Sequence, residues 1–86
     1  IDNLWNTPVE TARFLKKRVE DKVKESEEGV APSDLREFRE NERVKLYSEA
    51  LGDMDPDKRD EVWKSIKIDQ KGVRERLALD FGYEAP

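Results

Sequence analysis

Five consecutive residues, Asp53-Met54-Asp55-Pro56-Asp57, alternate carboxylates in the way that an EF-hand calcium loop begins. The rest of such a loop is missing, because Lys58 stands where it needs glycine and Lys64 where it needs a bidentate glutamate. An N-cap followed by acids near the positive end of a helix explains the same residues. We therefore predict a helix start here and no metal site.

The composition lacks two of the side chains that enzymes use most often. The 86 residues include no histidine and no cysteine, which excludes the commonest general base, thiolate nucleophiles and zinc–sulfur sites. No pair among the 21 acidic residues stands out in the apolar setting that raises a carboxyl pKa. Glycine-rich phosphate loops and nucleophile-elbow patterns are also absent from the sequence. We predict a protein that is not an enzyme and needs no cofactor.

Charge is abundant and evenly mixed along the chain. Charged residues make up 44% of it and the net charge is −4, which disfavours generic binding to nucleic acid. The densest basic stretch contains Arg13 and Lys17, but interleaved acids weaken its field. These two side chains are candidates for contact with an acidic partner surface. The acidic balance by itself suggests a second possibility, an inhibitor or decoy of a basic protein surface.

The segment from Val73 to Tyr83 has the rhythm of the first helix and turn of a helix-turn-helix unit. It contains a small residue for close packing, and Gly82 would open the turn. A recognition helix would have to begin at Pro86, where the sequence ends, so the motif is either absent or truncated. A nucleic-acid-associated regulator is therefore an alternative function, which the net charge disfavours.

Several large apolar side chains stand off the predicted core. At the helical period, Phe14 lies about 160° from the apolar stripe of the first helix, and Leu79 lies off the apolar face of the last. Leu4 and Trp5 precede the first helix, and Tyr83 follows the last. Aromatic residues and arginine are typical interface anchors. The candidate partner-binding residues are Leu4, Trp5, Arg13, Phe14, Lys17, Leu79 and Tyr83.

Helices must position these side chains, because the sequence contains residues typical of helix starts and helix ends along its whole length. Thr7-Pro8-Val9-Glu10 is a capping box with proline at the first helical position. Ser33, Asp55 and Asp69 are expected to cap three further helices, and glycines are expected to stop the helices at Gly29, Gly52 and Gly82. The predicted helices cover about residues 8–27, 34–51, 56–67 and 70–81.

Short connections between these helices predict a single all-α domain over residues 1–86. We expect a small compact bundle of about four helices, two longer and two shorter, that begins with an antiparallel hairpin. The second helix should be continuous despite its polar middle. The large core side chains should be Phe38, Tyr47, Trp63 and Phe81.

A thin core favours help from another protein. Only 35% of the residues are hydrophobic, and a chain of this size buries about 60% of its unfolded surface. We predict a non-catalytic protein–protein interaction module, a small helical accessory or adaptor subunit of a larger assembly, and self-association is also open. No apolar run approaches a membrane span. We expect a soluble protein of the cell interior or an organelle, and the initial Ile1 suggests a processed chain or a fragment.

Overall fold

The computed structural model describes residues 7–83, so Leu4 and Trp5 lie outside the described residues. Its four α-helices are α1 (Pro8–Ser26), α2 (Leu35–Gly52), α3 (Pro56–Ser65) and α4 (Lys71–Phe81). No strand occurs between residues 7 and 83. The predicted all-α bundle of two longer and two shorter helices is therefore confirmed. In this part of the chain, no helix is long and apolar enough to cross a membrane.

The first helix begins as predicted. The Thr7 hydroxyl accepts a hydrogen bond from the Glu10 amide at 3.3 Å, and Pro8 occupies the first helical position. The Glu10 carboxylate lies 3.6 Å from Arg13 instead of reaching back to the Thr7 amide. The hydrogen bond from the Glu10 amide to the Thr7 hydroxyl is therefore the half of the capping box that forms. The helix ends at Ser26, and Gly29 follows with a left-handed φ of 87°.

The second helix begins and ends differently from the prediction. Ser33 does not cap it, because Pro32–Asp34 forms a short 3-10 helix and α2 begins at Leu35. Pro32 fixes the backbone angle of this turn, which then closes through the Asp34 amide and the Ala31 carbonyl at 2.9 Å. The helix is continuous to Gly52, as expected. Gly52 is its last residue and not a left-handed stop.

The third and fourth helices are joined by an extended linker, residues 66–70. The sequence predicts residues 66 and 67 at the end of the third helix and residue 70 at the start of the fourth. The third helix stops at Ser65, and Ile66 has an extended backbone at φ −80° and ψ 135°. Alternate residues of an extended chain share a face, so Ile66 and Ile68 are both buried. The predicted cap Asp69 lies 3.4 Å from Lys16 on α1, and Gln70 is the residue that precedes α4.

The first two helices form the expected antiparallel hairpin, which two bidentate ion pairs join. Arg39 donates two hydrogen bonds to Glu27, and Arg43 donates two to Glu20, all between 2.6 and 3.0 Å. The order of these pairs shows that α2 runs back along α1. Helix α3 packs against α1, and helix α4 packs against α2.

The core contains two of the four predicted large side chains. Tyr47 and Trp63 are buried, whereas Phe38 and Phe81 are only half buried. Phe38 lies on the side of α2 opposite to Tyr47, so a helix that turns Tyr47 inward turns Phe38 outward. The guanidinium carbon of Arg59 lies over the Phe81 ring, 5.1 Å from the centre of that ring. The other buried core residues are Ala12, Leu15, Val19, Val23, Val44, Leu51, Val62, Ile66, Ile68, Val73, Leu77 and Ala78.

Candidate functional site

A groove of about 440 Å³ lies between α1 and α2. Its apolar lining consists of Phe14, Leu15, Val19, Leu46, Ala50 and Met54. All its walls come from α1, α2 and the two residues that follow α2, and neither α3 nor α4 contributes to them. We call this feature the Phe14 groove. It is an apolar surface between two helices that the rest of the described fold leaves uncovered.

The two sides of the groove follow from helical periodicity. Leu46 and Ala50 are four residues apart on α2, and Met54 follows two residues after the helix ends. All three are half buried against the core and form one row. Their neighbours Tyr47 and Leu51 point into the core. The second half of α2 therefore has two apolar faces, of which other helices cover one.

Phe14 stands at the edge of the groove and is 67% exposed. It lies away from the buried row of α1, as the sequence predicted, so the described helices leave it largely exposed. Phe14 also borders a shallower depression that Lys17, Asp21 and Glu25 line. Two predicted partner-binding residues, Phe14 and Lys17, are thus brought together on one surface.

Charged side chains of opposite sign stand on the two rims of the Phe14 groove. Arg18 and Lys22 line it from α1, and Glu49 and Asp53 line it from α2. All four residues are exposed, and none forms an ion pair with another residue in the range 7–83. A ligand of this groove would therefore meet an apolar floor between a basic rim and an acidic rim.

Arg59, which is not among the residues predicted from the sequence, holds the end of α2 in place. Its guanidinium donates hydrogen bonds to the carbonyls of Leu51 at 2.8 Å and Met54 at 3.0 Å. The last carbonyls of a helix lack partners within the helix, so an arginine nearby can satisfy them. A cation shortly after a predicted helix end is the signal that could have indicated this role. Because Met54 lines the groove, Arg59 also positions part of its floor.

Comparison with protein-family models, with curated proteins and with solved structures found no significant match.

The remaining candidate residues lie apart from the Phe14 groove. Arg13 lines a separate cleft between α1 and the end of α3, together with Lys16, Lys64 and Lys67. Leu79 on α4 is 82% exposed and is not part of the groove lining. Among the described candidates, Phe14 and Lys17 therefore lie together, whereas Arg13 and Leu79 belong to other parts of the surface.

Tyr83, the last described residue, packs against the core. Its ring stacks on Trp63 with 5.1 Å between ring centres, and its hydroxyl donates a hydrogen bond to Asp60 at 2.6 Å. Burial and then the hydrogen bond to Asp60 raise the pKa of Tyr83 to about 12. These contacts engage both the ring and the hydroxyl within the chain.

The arginines of α4 are engaged in contacts within the fold. Arg74 lies over the Trp63 ring at 4.8 Å and donates a hydrogen bond to the Ile66 carbonyl. Arg76 donates a hydrogen bond to Asn41 at 3.2 Å. Both side chains thus contribute to holding α4 against its neighbours.

The described carboxylates show no arrangement typical of a metal or acid–base site. Among residues 7–83, no group of three or more metal-ligating side chains comes together. The hydrogen bonds from Arg43 and Arg39 lower the pKa of Glu20 and Glu27 respectively. A general acid at neutral pH needs the opposite shift. Glu20 and Glu27 are therefore ion-pair partners of arginines within the hairpin.

The Glu20–Arg43 pair should make the stability of the protein depend on pH in the acid range. Because the pKa of Glu20 is lowered in the folded state, its contribution is present above the ordinary pKa of 4.5 and is lost as pH falls through the folded value. Urea unfolding at a series of pH values should therefore show a decline below about pH 4.5. The double variant Glu20→Gln/Arg43→Met should show a smaller decline.

A matched control for this titration removes an exposed pair within one helix. Glu61 lies 3.8 Å from Lys64 on the surface of α3, and exposed pairs of this kind contribute little. Glu61→Gln should keep the pH dependence of the wild type. Equal pH slopes for the wild type and the double variant would contradict the role given to Glu20 and Arg43.

Proposed function

We propose that this chain is a non-catalytic protein–protein interaction module, a small helical accessory or adaptor subunit that binds a helical part of another protein chain in the Phe14 groove. The observation that carries the proposal is the exposed Phe14 ring beside the half-buried row of Leu46, Ala50 and Met54. A groove between two helices is a known receptor for an amphipathic helix, whose apolar side chains recur every three or four residues. Phe14 has the residue type and exposure of an interface anchor.

The charges on the rims indicate which charged side chains the bound segment should carry. Arg18 and Lys22 favour acidic side chains on one edge of that segment, and Glu49 and Asp53 favour basic side chains on the other. Charges at an interface rim mainly determine orientation and partner choice, whereas the apolar anchor supplies most of the affinity. The expected ligand is therefore an amphipathic helix with an acidic and a basic edge.

The absence of histidine and cysteine from the sequence supports a non-catalytic role. The lowered pKa of Glu20 and Glu27 agrees with a role for these side chains in ion pairing within the hairpin. Neither carboxyl group lines the Phe14 groove. Binding by shape and charge is what the described residues of the groove can supply.

The experiment places a photo-crosslinking phenylalanine analogue at one of two exposed apolar positions, residue 14 or residue 79. Both side chains project from helices into solvent, but only Phe14 borders the groove. We expect residue 14 to give a discrete adduct in an extract of the native source, with the crosslinked site on an apolar helix face of one protein. Residue 79 should not give that adduct.

Affinity measurements on the purified pair then test the anchor role. Phe14→Ala should weaken binding by about thirty-fold, which corresponds to an interface anchor of about 2 kcal/mol. Leu79→Ala should leave the dissociation constant unchanged within about two-fold. Equal affinity of both variants would exclude the Phe14 groove as the docking surface.

A further inference from the structure

The rims of the Phe14 groove are complementary to each other. Arg18 and Lys22 on α1 face solvent on one side, and Glu49 and Asp53 on α2 face solvent on the other. Within residues 7–83 these four charges have no ion-pair partner, although two other acids of the hairpin are paired with arginine in bidentate geometry. A surface that has a basic and an acidic edge of this kind is suited to contact a copy of itself.

Symmetry decides how two copies can meet. In a two-fold dimer, each patch contacts the same patch on the other subunit. If the two-fold axis runs along the groove, α1 of one copy lies on α2 of the other, and each basic rim faces an acidic rim. If the axis runs across the groove, α1 lies on α1 and like charges meet, which is unfavourable. The charge pattern therefore selects the axis along the groove.

The same axis buries the apolar residues of the groove. Phe14 of each copy, which is 67% exposed in the single chain, would enter the groove of the other beside Ala50 and Met54. The four helices at the contact would be two α1 and two α2, with antiparallel neighbours on every side, because α1 and α2 are already antiparallel within one chain. This is the arrangement of a four-helix bundle with a shared core.

We propose that the occupant of the Phe14 groove is a second copy of this chain, related by a two-fold axis that runs along the groove. This inference rests on the proposed function, because it uses the same surface and gives its partner. The dimer extends a core that is thin in the single chain, where 35% of the residues are hydrophobic and 44% are charged. The other protein chain that the groove binds is, on this inference, the α1–α2 face of a second copy.

The test is sedimentation equilibrium of the wild type and of two charge-reversal variants over a wide range of concentration. One variant is Arg18→Glu/Lys22→Glu, whose rims are both acidic, and the other is Glu49→Lys/Asp53→Lys, whose rims are both basic. We expect the wild type to dimerise and each variant alone to dissociate at least about a hundred-fold more readily. An equimolar mixture of the two variants should dimerise again, because an acidic patch then meets a basic one.

Dimer formation in the mixture distinguishes a loss of charge complementarity from misfolding of the variants, because two misfolded variants should not dimerise when they are mixed. Circular dichroism of each variant alone gives a second check that its helices are intact. A wild type that stays monomeric, or a dimer that neither charge reversal affects, would overturn the inference. If the wild type is monomeric and residue 14 still crosslinks to another protein, only this inference fails. If that crosslink is absent as well, the proposed function fails with it.

Discussion

Replacement of Trp63 by alanine should lower the free energy of unfolding by about 3–5 kcal/mol. The Trp63 side chain is buried, its ring stacks on Tyr83, and the guanidinium of Arg74 lies over it at 4.8 Å. The substitution leaves a cavity and removes the surface against which Tyr83 and Arg74 pack. Native domains are stable by about 5–15 kcal/mol, so this one change consumes much of the total.

Urea unfolding followed by circular dichroism measures this loss without depending on tryptophan fluorescence. Trp63→Phe is the matched control, because it keeps an aromatic ring against Tyr83 and should cost clearly less than the alanine variant. If Trp63→Ala proves too unstable to give a folded baseline, its helical signal should be lost at temperatures where Trp63→Phe retains it. A loss below about 1 kcal/mol would contradict the core position of Trp63.

Replacement of Arg59 by alanine should lower the free energy of unfolding by about 2–3 kcal/mol. The change removes the charged donor that bonds the carbonyls of Leu51 and Met54, and it removes the cation from the face of Phe81. Arg59→Lys should recover little of this stability, because an ammonium group cannot make the same forked contacts. Chemical denaturation of the three proteins gives the comparison.

A second measurement links Arg59 to the docking surface. The methyl resonance of Met54, which is the single methionine of the chain, should shift in Arg59→Ala because its carbonyl loses a partner. Lys64→Ala on the exposed side of α3 should leave that resonance in place. An unchanged Met54 signal in Arg59→Ala would show that Arg59 does not position the floor of the Phe14 groove.

The features that the sequence predicted correctly are those that depend on neighbouring residues. The cap at Thr7 requires an amide three residues away, and the stop at Gly82 requires only a residue that accepts a φ of 77°. The exposure of Phe14 follows from its angle on a single helix. Each of these depends on one turn of chain and is independent of how the helices pack.

The features that the sequence missed depend on contacts between distant segments. Aspartate is a residue type that often caps a helix, but the Asp69 side chain lies beside Lys16 of the first helix. The role of Arg59 requires knowing where the end of α2 comes to rest. The Phe14 groove likewise exists because α3 packs against α1 and α4 packs against α2 without either helix lining the row of Leu46 and Ala50.

The extended linker of residues 66–70 has a mechanical consequence. Ile66 and Ile68 are buried, yet the amides of residues 67–70 donate no hydrogen bond to any residue in the range 7–83. Apolar burial has no preferred direction, whereas a hydrogen bond fixes an angle and a distance. The directional contacts of the linker lie near its two ends, where the Ile66 carbonyl accepts a hydrogen bond from Arg74 and Asp69 lies 3.4 Å from Lys16. We therefore expect small adjustments of the linker backbone to occur between these two contacts, where apolar burial alone holds the chain.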